Sequence, residues 1–206
     1  MPDHMMSFIL RLPTSAEYDE MLRVCCDLND RCHWQAIWTL CQDASPVVEG
    51  CRIARGFMRS CAMDAVPEDF HNARLGFRPF LEMRGKDPFP CLKDGDTVSF
   101  GLLTLDGVIA HVPTVPVAPT SLYKGDIPKA YDARVSMVSA RFPHTPITWI
   151  KQEGGYIADR VLLCKISWSA LDKGGFMKGK LMQLRHPEYR PNVKRPASEA
   201  RTCFVP

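Results

Sequence analysis

Apolar and polar positions along this chain recur with periods that define a series of short elements. Phe8, Ile9 and Leu10 form an apolar run that predicts a strand. Thr14-x-x-Glu17 then reads as a capping box, with the threonine oxygen accepting from the Glu17 amide and the glutamate reaching back. Tyr18, Met21, Leu22 and Cys25 follow at i, i+3, i+4 and i+7, which predicts one apolar helical face ending near residues 27–30. Residues 33–41 are aromatic and apolar and read as strand-like or irregular. Residues 51–57 and 75–81 read as strands, with a long loop over 60–73 between them. Gly85, Pro88 and Pro90 cluster with charges and predict a domain boundary.

Past that break, residues 97–105 and 108–112 flank Asp106-Gly107, a dipeptide that tolerates the positive φ a tight hairpin turn needs. Pro113, Pro116 and Pro119 exclude a central strand there. Residues 130–140 read as a short helix. A second hairpin is expected from residues 147–152, Gly154-Gly155 and 156–166. Ser167 is placed to cap a short helix over 168–172, stopped by Gly174-Gly175. No internal repeat is evident.

Composition adds little to this pattern. The 206 residues are 46% apolar and 24% charged, an ordinary balance for a folded chain, which excludes wholly disordered, collagenous and coiled-coil chains. No apolar run reaches the ~18–20 residues of a membrane span, and the one at 5–10 is too short for an export signal. A cytoplasmic location is therefore expected. The nine cysteines are odd in number and contain no C-x-x-C pair, which points to free thiols that act as small hydrophobes and away from a structural zinc. Charge is uneven. Residues 1–85 carry a net −3, residues 86–172 are neutral, and residues 173–206 carry +6.

Four pieces of the front third stand in a familiar order: Arg11-Leu12-Pro13-Thr14-Ser15-Ala16-Glu17-Tyr18, then Trp34, Trp38 and Asp43, then Arg55-Gly56-Phe57, then Leu75-Gly76-Phe77-Arg78. Over residues 8–82 this resembles the formylglycine-generating enzyme (sulfatase-modifying factor) family, whose fold is C-type-lectin-like. The resemblance implies structural roles for Arg11, Thr14, Glu17, Trp38, Gly56, Gly76, Phe77 and Arg78. Arg78, between apolar neighbours, is expected to be buried with its guanidinium held by several acceptors, carbonyls or a carboxylate.

The departures bear on chemistry. Catalytic members of the family hold copper with two cysteines five residues apart; here Cys61 fills the first position and Val66 the second. One thiolate cannot build the linear two-sulfur site that copper(I) favours. Phe57 and Met58 replace a glycine and a serine, and calcium loops are not obvious. Phosphate-loop, H-E-x-x-H and G-x-S-x-G motifs are missing, and nothing local activates a Cys61–His71 pair. No catalytic residue, metal or cofactor is expected.

The expected architecture is thus α+β, with three parts: a degenerate lectin-like domain over 1–85, a hairpin-rich α+β domain over 86–172, and a basic tail over 173–206. The expected function is a non-catalytic interaction protein that binds a host protein or nucleoprotein, with Trp34 and Arg59 as candidate contacts. By analogy with other lectin-like proteins it would come from a phage or mobile element, for example as an anti-CRISPR inhibitor. An alternative is nucleic-acid binding through Lys178, Lys180, Arg185, Tyr189, Arg190, Lys194 and Arg195, whose charges would meet phosphates while the aromatic ring stacks on bases. A second alternative is a residual copper or thiol enzyme.

Overall fold

The computed structural model describes residues 5–24, 38–42, 45–48, 51–57, 63–70, 75–112 and 127–186. In chain order the elements are β1 (Met5–Arg11), α1 (Ser15–Val24), β2 (Trp38–Leu40), β3 (Ser45–Val48), β4 (Cys51–Phe57), β5 (Met63–Pro67), β6 (Leu75–Phe77) and β7 (Phe80–Arg84). Then come β8 (Thr97–Ser99), β9 (Leu102–Leu105), β10 (Val108–Ile109), β11 (Val135–Val138), β12 (Thr148–Gln152), β13 (Gly155–Ala158), β14 (Leu163–Cys164), α2 (Trp168–Lys173) and β15 (Lys180–Arg185). The described residues are mostly β-sheet with few helices, more β-rich than the balanced α+β expected.

One six-stranded sheet runs in the order β15-β1-β7-β13-β12-β8 and is curled into a half-barrel. β8 does not end there. Its chain bends at Phe100–Gly101, where Gly101 has φ +72°, and continues as β9. β9 pairs with β10 and β11, and β11 returns beside β15, where the Arg185 amide donates to Ser139 Oγ at 2.9 Å. A second sheet runs β14-β6-β2-β4-β3, with β5 on β4. The first sheet draws its strands from residues on both sides of 85 and 172. The boundaries expected there fall between hydrogen-bonded neighbours, and residues 180–185 of the expected tail are an edge strand.

Several local expectations hold. Thr14 Oγ1 accepts from the Glu17 amide at 3.2 Å, and Glu17 Oε2 accepts from the Thr14 amide at 2.8 Å. Asp106 and Gly107 both take positive φ, 50° and 82°, between paired β9 and β10. Gly154 (φ +78°) turns β12 into β13. Ser167 caps α2, its Oγ accepting from the Ala170 amide at 3.1 Å.

Others are corrected. The helix expected over 130–140 is strand β11: Val135 and Met137 are buried and alternate with Ser136 and Val138, a period of two. Part of the expected 60–73 loop is β5, which folds back antiparallel on β4. The single strand expected over 75–81 is two strands in two sheets, separated by Arg78-Pro79. Proline supplies no amide to a ladder, so the chain changes layer there.

The main core lies inside the half-barrel and holds Phe8, Phe100, Trp149 and Tyr156. Phe8 and Phe100 stack at 5.6 Å, Phe100 and Trp149 at 5.6 Å, and Tyr156 meets Phe8 and Phe100 edge-on. Burying each such side chain contributes about 1.5–3 kcal/mol. Trp149 is fully buried because its indole nitrogen donates to the Phe100 carbonyl at 2.9 Å. Gly155 allows β13 to close on β7; a Cβ there would stand 2.2 Å from the Leu81 carbonyl oxygen.

The outer face of the same sheet carries α1. Phe80, Ile150 and Ile157 pack with Tyr18, Met21 and Cys41, while their chain neighbours Leu81, Trp149 and Tyr156 face the barrel interior. Arg11 fixes the start of that helix. Its guanidinium grips both Glu17 oxygens at 2.7 and 2.5 Å, donates from Nε to Glu82 at 3.0 Å, and sits 4.5 Å from the Phe80 ring centroid.

Arg78 is buried, 2% exposed, as expected, but its acceptors are weak. Nη1 reaches the Tyr18 hydroxyl at 3.3 Å and Met21 Sδ at 3.7 Å, and Nε is buried without a hydrogen-bond partner. The expected carbonyl and carboxylate are not among its contacts. Volume therefore matters more here than charge. Arg78→Ala is expected to lower stability by about 2–4 kcal/mol through the cavity it opens. Arg78→Met, which keeps the bulk, is expected to cost under about 1.5 kcal/mol. Urea denaturation of both variants checks this; equal losses would restore the charge as the dominant contribution.

Candidate interaction surface

Helix α1 covers only one end of the outer sheet face. Antiparallel register places the uncovered rows. Arg185 lies opposite Met5; Gln183 opposite Ser7, which lies opposite Arg84; Leu181 opposite Ile9, which lies opposite Glu82. Directly paired residues project from the same face of a sheet, so these side chains share one surface. β15 shows the alternation plainly, with Met182 and Leu184 buried and Leu181, Gln183 and Arg185 exposed.

The surface combines apolar groups with charge. Leu181 is 61% exposed and stands opposite half-buried Ile9, while Met5, 46% exposed, lies two rows along the same face beyond Ser7 and Gln183. Val138 adds another exposed apolar side chain next to Ser139, which binds the Arg185 amide. Glu82 is shared between Arg11 and Arg84, at 3.0 and 3.2 Å. Arg84 and Arg185 give the rim its positive charge.

Two further ionisable clusters are held in internal pairs. Asp87 bonds to the Lys151 ammonium, accepts from the Tyr156 hydroxyl at 2.6 Å and accepts from the Phe89 amide at 2.8 Å. Asp159 and Arg160, 3% and 5% exposed, pair side by side. Arg160 also lines a cleft with Ser99, Thr145, Thr148 and apolar neighbours, of about 100 Å³. Sites for organic ligands commonly hold about 300–1,000 Å³, so this cleft admits little beyond small ions or water. Among the described residues no three His, Cys, Asp or Glu side chains come together to hold a metal.

Of the sequence-predicted binding residues, Lys178, Lys180 and Arg185 fall among the described residues. Lys178 is exposed just before β15. Lys180 is half-buried, its Nζ 5.9 Å from the Phe176 ring centroid, and Arg185 ends the strand. Lys180 and Arg185 project from opposite faces, five residues and about 17 Å apart, so β15 does not gather them into one patch. Tyr189, Arg190, Lys194, Arg195, Trp34, Arg59, Cys61 and His71 lie outside the described residues. Trp38 and Gly56 fall in β2 and β4, where Leu40 pairs with Gly56, and Gly76 sits between β2 and β14. Phe77 is buried against Phe176, ring centroids 5.3 Å apart. Sequence reasoning misses Met5, Ile9 and Leu181 because residues 180–185 group with the basic tail by charge. The signal in the sequence is partial: Met182 and Leu184 flank Gln183, but Leu181 breaks the alternation.

No protein family, curated protein or solved structure matches the chain.

The Asp87 cluster sets a pH dependence. Burial pushes the Asp87 carboxyl up, but the Lys151 ammonium, the Tyr156 hydroxyl and the Phe89 amide outweigh it and hold it below the usual carboxylate range. Its stabilisation is present above about pH 4 and lost as pH falls further. Burial, and then the Asp87 carboxylate, hold the Tyr156 proton well above the ordinary phenol range. That stabilisation is present below about pH 10 and lost above it. Urea midpoints are expected to stay level from about pH 5 to 9 and fall on both sides. Tyr156→Phe should flatten the alkaline fall; an unchanged alkaline limb would contradict the assignment.

Proposed function

We propose that this chain is a non-catalytic interaction protein and that the uncovered outer face of its six-stranded sheet binds a partner protein. The observation that carries the reading is exposed Leu181 beside Ile9, with exposed Met5 two rows along the same face, about 13 Å away across the Ser7–Gln183 row, where α1 leaves the sheet open. Exposed apolar side chains rimmed by polar ones are a common form of protein interface, and arginine is enriched in such surfaces. The resemblance of residues 8–82 to a lectin-like frame without the second copper cysteine supports the same reading, since that frame serves as a rigid support for binding surfaces. The partner is then a host protein or nucleoprotein met through its protein component. Lys180 and Arg185 facing opposite ways favours protein over a phosphate backbone, which needs cations along one track.

The test is capture from native-host lysate with full-length protein, with and without nuclease, against Leu181→Glu and a triple Arg190→Gln, Lys194→Gln, Arg195→Gln variant. Capture that survives nuclease and the triple change but falls at least about tenfold with Leu181→Glu supports the face. Loss on nuclease treatment, or with the triple variant alone, would transfer the function to nucleic acid.

A further inference from the structure

The same region contains a second recognition element, in its backbone. β15 ends the six-stranded sheet, and among the described residues no strand pairs with its outer side. The Arg185 amide donates to Ser139 Oγ, so it does not bond across to Met5. Antiparallel ladders alternate bonded and non-bonded pairs. The non-bonded set is therefore Met5–Arg185, Ser7–Gln183 and Ile9–Leu181, and the N–H and C=O of Gln183 and Leu181 point away from β1. β11 approaches this edge at Arg185, where a Cβ on Gly101 would meet both Leu184 and Val138.

An open edge is a template for another strand. Charge favours one kind of strand: β15 has Lys180 on one face and Arg185 on the other, Lys173 and Lys178 precede it, and residues 173–186 contain no Asp or Glu. We propose that the outer edge of β15 docks an extended, acidic segment of a partner protein as an added strand. The idea rests on the protein-binding reading above and names the chemistry of the partner. A second copy of this chain fits poorly, because two β15 strands side by side would bring basic residues together with no carboxylate on either. The open stretch runs from Lys180 to Ser139's contact at Arg185, so the docked segment is short, about five residues.

The experiment uses full-length protein and a labelled peptide of about nine residues in which valines are interspersed with glutamates at both odd and even positions, so that both faces of the added strand carry carboxylates, with its valine–lysine counterpart. Fluorescence anisotropy at low salt is expected to show at least about tenfold tighter binding of the glutamate peptide. Gln183→Pro should weaken it at least about tenfold with little change in the thermal midpoint, since that amide makes no bond to β1. Hydrogen exchange on the unsubstituted protein should show the Gln183 and Leu181 amides slowing when the peptide is added, which keeps the test valid should the proline variant not fold. Equal affinity for both peptides, no binding of either, or protection of the same amides by self-association overturns the proposal. Met5→Glu separates it from the face reading. If the glutamate peptide fails to bind while Met5→Glu and Leu181→Glu abolish capture of the cellular partner, the face stands and the edge falls. If the peptide binds while capture ignores both changes, the face falls and the edge stands.

Discussion

Arg11 joins three elements that are far apart in sequence. One guanidinium takes the Glu17 carboxylate at the head of α1, the Glu82 carboxylate on β7 and the Phe80 ring beneath it. Glu17 is in turn the acceptor for the Thr14 amide, and its carbonyl accepts from Gln152 on β12 at 3.1 Å. Helix orientation, the outer layer of Phe80, Ile150 and Ile157, and the limit of that layer all follow from where this knot pins the first turn. An arginine with its fork filled by a carboxylate has one geometry, and lysine would not reproduce it.

That placement also decides which part of the sheet is left open. A ten-residue helix is about 15 Å long, too short to cover the whole outer face. The rows of Arg11, Phe80, Ile157 and Ile150 are covered, and the rows through Leu181 and Met5 are not. The inner face has no such freedom, because aromatic rings from β1, β8–β9, β12 and β13 fill the half-barrel.

Local chemistry was legible in the sequence. The capping box, the Asp106-Gly107 turn, the Gly154 turn and the Ser167 cap each depend on residues within a few positions of one another, and each is present. Strand partnership was not legible, because it depends on residues brought together from remote segments. The 75–81 run reads as one strand, and only the change of layer at Arg78-Pro79 separates it into two sheets. Residues 180–185 group with the basic tail by charge, and Leu181 beside Met182 blurs the period of two that their burial shows. The candidate face combines β1 with β15, so neither segment alone announces it.

The pairing of β1 with β15 joins residue 5 to residue 185. During synthesis on the ribosome β1 emerges early, yet one whole side of it has no mate until almost all of the described chain has been made. The nascent chain must carry an unfinished sheet, with Phe8 and Leu10 awaiting Met182 and Leu184, throughout the synthesis of the residues between β1 and β15. Such late closure makes β15 a checkpoint: a ribosome that stalls before it releases a chain with a sticky margin, a natural substrate for chaperones and proteases.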